Sequence, residues 1–164
     1  MKKTSFLILI LWVVSLISCS NESAQQTTVP EQGTYNVYLE IKKYEEKKLE
    51  IFTQKASYSG DTTFVYNFKV HFIDKDTISG VMTGDSGVVI EKLGYMEARE
   101  NVKLVSSDGD SLLASMLIFN ENENIIYSPF ESILFKGGKV IRSTGLESDP
   151  GLKEITFRGK VYVD

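Results

Sequence analysis

From Leu49 to the C-terminus, apolar and polar residues alternate with a period of two, the spacing of a half-buried β-strand. Phe64, Tyr66, Phe68, Val70 and Phe72 fall on one face of the clearest segment, and Val65, Asn67, Lys69, His71 and Ile73 on the other. Val102 and Leu104, Leu117 and Phe119, Ile133 and Phe135, and Val161 and Val163 continue the alternation. β-Branched and aromatic side chains suit a pleated, half-buried surface. Turn chemistry separates the segments at Asp74-Lys75-Asp76, Asp108-Gly109, Asn120 to Asn124, Gly137-Gly138 and Asp149-Pro150-Gly151. Asp108-Gly109 and Gly137-Gly138 suit tight primed turns, because these residues accept positive φ. Hairpin joined to hairpin predicts an antiparallel sheet of about eleven short strands, with no convincing helix after Leu49. Pro129 interrupts a strand and predicts an edge or a bulge.

Ahead of this region, Val37 to Ile41 alternates and reads as a first strand. The charged run Lys42 to Lys48 reads as a solvated edge or turn, or as a short helix with Glu and Lys one turn apart. A similar phrase returns roughly every 28–32 residues, a period typical of repeat architectures. Lys55-Ala56-Ser57-Tyr58, Thr83-Gly84-Asp85-Ser86, Ser115-Met116-Leu117-Ile118 and Ser143-Thr144-Gly145-Leu146 occupy equivalent places in successive copies. The expected fold is therefore all-β: an extended antiparallel repeat stack. It either closes as a barrel or stacks as two sheets, and its apolar face must be covered by the opposite sheet or by a ligand.

The N-terminus adds a membrane. Lys2 and Lys3 precede an apolar run from Phe6 to Ile17, long enough for a signal-peptide core but short of the ~20 residues that span a bilayer. The run ends in Leu16-Ile17-Ser18-Cys19, which matches the bacterial lipoprotein cleavage box. That resemblance implies cleavage after residue 18 and a lipid anchor on Cys19, whose several acyl chains hold more firmly than one. Residues 1–18 read as a lipoprotein signal peptide, 19–34 as a polar flexible tether and 35–164 as one β domain. Cys19 is the only cysteine, so no disulfide forms within one chain.

Charge and composition exclude several functions. The 164-residue chain has 18 basic and 22 acidic side chains and a net charge of −4. Loss of Lys2 and Lys3 with the leader moves this to about −6, a poor balance for nucleic acid, whose phosphates demand a basic face. His71 is the only histidine, and it falls on the polar side of its strand, so no hydrolytic triad is expected. Asp74 and Asp76 near His71 form a weak set for a metal. Asp108 and Asp110 flank a hairpin glycine as turn formers, and Glu121 and Glu123 read as solvated. Gly80, Gly84, Gly87 and Gly94 form no phosphate-binding strand–loop–helix. The chain reads as a non-enzyme with no cofactor and no metal site.

Leu112-Leu113-Ala114-Ser115-Met116-Leu117-Ile118-Phe119-Asn120, Ile126-Tyr127-Ser128, Thr144 to Asp149 and Gly159-Lys160-Val161 resemble, in order and rough spacing, the C-terminal half of the LptC family. This is the periplasmic component of the lipopolysaccharide-export ABC transporter. Ala114 stands where the family often has threonine, and the lipid anchor on Cys19 stands in place of a transmembrane helix. The resemblance implies a slightly open, twisted β-jelly roll at the periplasmic face of the envelope, anchored more naturally to the inner membrane than to the outer. It would receive lipopolysaccharide from the LptB, LptF and LptG transporter and pass it to an LptA-like periplasmic protein. An apolar groove shields acyl chains at ~0.8 kcal/mol per buried methylene.

The candidate groove residues are Phe52, Phe64, Tyr66, Phe68, Val70, Phe72, Met82, Val102, Leu104, Leu117, Phe119, Ile133, Phe135 and Val161. The candidate partner edge is the C-terminal strand with Ile155, Phe157, Gly159, Val161 and Val163, since an exposed edge can take a partner's strand. Gly145 and Gly159 read as backbone requirements. Two other readings compete: a lipidated β-barrel holding a small apolar ligand, and a structural or interaction lipoprotein without ligand. An open groove with free edges would exclude the barrel, and an interior filled by side chains would favour the structural protein.

Overall fold

The structure, a computed structural model, describes residues 33–43 and 46–164. The chain divides into Met1–Pro30 and Glu31–Asp164, and the account concerns the second unit. The leader, Cys19 and all but the last two residues of the expected tether lie outside the described residues.

Ten strands follow one another: β1 (Gly33–Lys43), β2 (Glu46–Ser59), β3 (Thr62–Asp74), β4 (Thr77–Ile90), β5 (Tyr95–Ser106), β6 (Ser111–Asn120), β7 (Ile125–Ser128), β8 (Ser132–Lys136), β9 (Lys139–Ser148) and β10 (Ile155–Val163). Among the described residues one 3₁₀ turn, Glu91–Leu93, is capped by left-handed Gly94 and joins β4 to β5. The fold is all-β and antiparallel, as the alternation predicts, and forms one sheet in the order β1-β2-β3-β4-β5-β6-β7-β9-β10, with β8 also between β6 and β9. Neither β1 nor β10 pairs on its outer side among the described residues, so the sheet is open rather than a closed barrel. The charged run is strand on both sides of the β1–β2 hairpin, with Lys42 opposite Lys47. Lys75 and Asp76, then Gly137 and Gly138, take the paired positive φ of primed hairpin turns.

The strands are long because each crosses a crease. In β3, Phe68, Val70 and Phe72 are buried, and so is Val65, with Tyr66 and Asn67 between. Asn67 has φ of 48°, and such a left-handed residue slips the alternation by one position. The slip repeats from strand to strand. Thr53 and Ala56 in β2 are both buried, as are Gly84 and Gly87 in β4, and Leu112 and Leu117 in β6. In β5 the break is longer, at Glu100 and Asn101, both with positive φ, and the β4–β5 register shifts there. Between β7 and β8 it is Pro129-Phe130-Glu131, which cuts one continuous strand in two. In β10 it is Gly159, where the β9–β10 register shifts. The recurrent phrase of the sequence marks this crease on β2, β4, β6 and β9.

Along the crease the sheet folds over and its two leaves pack face to face. Phe72 lies at one end of β3 and Phe119 at the far end of β6 on the other side of the crease, yet their rings meet edge-on at 4.9 Å. A Cβ on Gly80 would overlap the Pro150 carbonyl oxygen of the β9–β10 loop, another contact between leaves. One leaf contributes Ile51, Val70, Met82, Leu104, Leu112 and Leu134, and the other Val65, Met96, Leu117, Ile126 and Leu146, to one continuous core. Burial of each such side chain contributes about 1.5–3 kcal/mol.

Candidate functional site

The interior between the leaves is the first candidate site. Of the expected groove residues, Phe68, Val70, Phe72, Met82, Val102, Leu104, Leu117 and Phe119 are buried there. The crease moves the others. Phe64 and Tyr66 precede the slip at Asn67, so they flank inward Val65 and point outward, where the Lys55 ammonium sits 5.2 Å from the Tyr66 ring. Phe52 lies between inward Ile51 and Thr53 and is 41% exposed on the outer face. Ile133 and Phe135 flank buried Leu134 and face outward for the same reason. Val161 pairs with buried Ser143 and shares its face, but at 42% exposed it lies beyond the covered core. Sequence alternation missed Ile51, Val65, Met96, Leu112, Ile126, Leu134 and Leu146. The available signal was an Asn, Gly or Asp in mid-strand, at Asn67, Gly84, Asp85 and Asn101, where β-propensity disfavours those residues.

The crease is held by polar side chains that replace broken ladder bonds. The Thr53 hydroxyl accepts from the Tyr66 N–H at 3.0 Å and lies 2.7 Å from the Tyr66 carbonyl. The Asn67 amide donates to Gln54 at 3.0 Å, and the Asn101 amide to Asp85 at 2.6 Å. Inward residues at the crease are small: Ala56, Gly84, Gly87, Ala98, Ala114, Ser128, Ser132 and Ser143. The leaves converge there, and larger side chains would hold them apart. Val65, Val102 and Leu117 are larger, and Phe68, the one aromatic ring among these rows, occupies the space two glycines leave. A Cβ at Gly84 would stand 2.9 Å from its ring, and one at Gly87 3.1 Å.

Opposite the crease the leaves part in a mouth of about 320 Å³. Phe72 and Phe119 form its apolar throat, and Lys48, Asp74, Glu121, Asp149 and Lys153 its charged rim. The Asp149 carboxylate organises the β9–β10 side of the rim, accepting from the N–H groups of Gly151, Lys153 and Glu154 at 2.7–2.9 Å. Deeper in, side chains fill the interior.

The two sheet edges are the second candidate site. In β10, Ile155 and Phe157 pack half-buried against the core, whereas Val161 and Val163 are exposed. Gly159 has φ of 76°, and a Cβ there would overlap the Thr144 hydroxyl, which accepts from the Lys160 N–H at 3.1 Å. Gly145 lies in β9 beside this bulge, where a Cβ would stand 3.1 Å from that of Arg158. Both glycines fit a bulged, close-packed edge.

His71 is half-buried on the outer face, its Nδ1 3.2 Å from Glu50 Oε2. Elsewhere on the outer face, Tyr95, Glu97 and Arg99 form a ladder along β5 that leads to the crease. Burial, the hydrogen bond to Glu97 and that carboxylate's charge raise the Tyr95 hydroxyl to about 12. Burial pushes the Glu97 carboxyl up, but hydrogen bonds from Tyr95 and Arg99 and the Arg99 charge outweigh it, so its pKa is lowered. Among the described residues no group of three or more His, Cys, Asp or Glu side chains is placed to hold a metal. No helix among them is long and apolar enough to cross a membrane.

No family model matches the chain, and no curated protein matches it. Among solved structures it is similar to LptH, the LptA homologous periplasmic component of the conserved lipopolysaccharide transport device from Pseudomonas aeruginosa, covering 82% of this chain and 94% of that one. The identity is 9% and the TM-score 0.34, a likeness too distant to carry a functional argument.

Proposed function

We propose that this chain is a lipid-anchored, non-enzymatic bridge for lipopolysaccharide in the bacterial envelope. In this reading Cys19 holds it at the periplasmic face of the inner membrane. It receives lipopolysaccharide from an LptB, LptF and LptG transporter and passes it to an LptA-like protein docked on β10. The observation that carries the reading is one apolar interior running under every strand from β1 to β10, between leaves that meet at a crease and part at a mouth. An open antiparallel sheet with two unpaired edges suits end-to-end extension by strand addition. The sequence resemblance to LptC supplies the cargo and the partners. Acyl chains would enter where Phe72 and Phe119 meet and would drive the leaves apart, exchanging contacts between leaves for contacts with lipid.

A second reading, an interaction lipoprotein without ligand, is favoured by how completely side chains fill the interior beyond the mouth. One experiment separates the two. A benzophenone amino acid replaces Phe72 or Phe119 in cells with an energised transporter, and outward Lys69 is the control position. The expected result is lipopolysaccharide capture at the two phenylalanine positions, several-fold above Lys69. Equal capture at all three positions, in a folded protein, leaves the interaction reading in place and removes the transport one.

A further inference from the structure

The outer face carries a constellation that an acyl path does not use. Where β1, β2 and β3 cross the crease, a concavity of about 450 Å³ opens on the solvent side of the sheet. Tyr38 and Phe52 form one wall, paired across β1 and β2 with ring centroids 5.2 Å apart. They are 47% and 41% exposed, unusual for two adjacent aromatic rings on the outer face of a sheet. Phe52 is buttressed from behind by His71 at 5.1 Å. Tyr38 donates to Glu40 at 2.9 Å and lies 3.2 Å from Glu50. These contacts fix both rings. The lining also carries three primary amides, Asn36, Gln54 and Asn67, the last two bonded to each other at 3.0 Å, and Lys69, which pairs with Phe52 across β2 and β3. Asn36 and Asn67 are both left-handed crease residues.

We propose that this concavity binds a saccharide. Fixed aromatic rings offer flat π surfaces to the C–H faces of a sugar ring, and a pocket of apolar wall with a few placed polar groups is the usual form of a small-ligand site. A primary amide carries a donor pair and an acceptor side by side, the pattern that vicinal hydroxyls match; with Asn67 donating to Gln54, the linked pair still has the Asn67 oxygen and the Gln54 amino group to offer. Lys69 adds a cation, which favours a sugar that carries a carboxylate. Another concavity on the outer crease sets the contrast: Leu113, Phe130 and Ile133 line it with the charged Glu100, Lys103 and Glu131, and it has one primary amide, Asn101, and one aromatic ring.

The site stands independently of the lipid reading, and acyl-free probes keep the two apart. The full chain in detergent micelles is titrated with chitobiose, with maltose and with a uronic-acid disaccharide, followed by saturation-transfer NMR. Binding at about millimolar Kd, the range of a weak single-site contact of roughly 4 kcal/mol, is expected for at least one of the three, strongest for the uronic acid. Phe52→Ala should weaken it about tenfold or more, and Lys69→Gln should erase the preference for the acidic sugar. Both side chains are exposed, and thermal unfolding confirms that each variant is folded. Gln54→Leu is the second probe if Phe52→Ala fails to fold. No saturation transfer from any of the three sugars overturns the site, as does binding that Phe52→Ala or Gln54→Leu leaves unchanged. Either outcome leaves lipid capture at Phe72 and Phe119 untouched.

Discussion

Where β3 and β4 cross the crease, an aromatic ring meets two glycines; where β7, β8 and β9 cross it, three serines do. At the first crossing Phe68 is 3% exposed and sits in the space left by Gly84 and Gly87. At the second, the Ser132 and Ser143 hydroxyls are 3.2 Å apart, and Ser128 donates to the Phe130 carbonyl at 3.0 Å. The first joint is closed by dispersion and by area removed from water. The hydrogen bonds of the second stay within a leaf, since Ser132 and Ser143 are cross-strand partners on β8 and β9 and Ser128 bonds along its own chain, beside the cut at Pro129. Parting the leaves there breaks none of these bonds and uncovers only small side chains. Parting the Phe68 contacts exposes a whole ring, at about 1.5–3 kcal/mol. The leaves are therefore pinned near β3 and freer toward β10, the edge assigned to the partner.

The largest expected effect tests the pinned joint. Phe68→Ala should destabilise the domain by about 3–5 kcal/mol, the range for a buried aromatic truncated to a methyl group. Urea unfolding monitored by far-UV circular dichroism measures it. Because Gly84 and Gly87 have no side chains with which to close the gap, the cavity persists and the cost belongs at the upper end of that range. A loss under about 1 kcal/mol would mean that the leaves slide inward to fill the gap, and the contrast between the two joints would collapse.

A smaller effect sharpens the serine joint. Ser132→Ala or Ser143→Ala alone leaves one buried hydroxyl with a lost partner, and each should cost about 1 kcal/mol. The double variant removes both hydroxyls, so it should cost no more than either single one. The double-mutant cycle reads this directly. Additive losses would show that the two hydroxyls are bonded elsewhere.

The contrast between the joints also marks how far the sequence could be read. Strand identity, antiparallel pairing and the tight turns follow from local signals. At Asp108-Gly109 only Gly109 takes positive φ, in a four-residue loop rather than a primed turn, but alternating Val, Phe and Tyr and the Gly137-Gly138 pair each carry their conformation in a few residues. The crease does not, because a slip of one position reverses which face is inward while leaving each half of the strand alternating. Phe64 to Phe72 therefore looked like one continuous face. Asn67, a poor strand former in the middle of that segment, is the sign of the slip, and Tyr66 and Phe68 on either side of it point in opposite directions. Val161 shows a different limit. Its direction was legible, but its exposure depends on where the other leaf ends, a long-range property no local pattern encodes. The mouth is likewise illegible, since Phe72 and Phe119 meet only after the sheet has folded over.

The smallest effect concerns the outer brace of the pinned joint, where Tyr95, Glu97 and Arg99 line β5 up to the crease. Tyr95 is raised from 10.0 to about 12, so the folded state keeps the phenolic proton longer than the unfolded chain does. Its contribution to stability is complete below about pH 10 and is lost as pH rises toward about 12. Glu97 is lowered, so its contribution is complete above the ordinary carboxylate value and is lost as pH falls through the folded one. Between these limits the brace is intact. Tyr95→Phe removes the alkaline titration while keeping the ring, so its urea midpoint should fall less than that of the unmodified chain between pH 10 and 12. Loss of the Tyr95 hydrogen bond should also raise the Glu97 pKa, which carboxylate NMR measures. Identical alkaline profiles for the two proteins would mean that the brace does not hold the joint, and the pinning would then rest on Phe68 and the glycines alone.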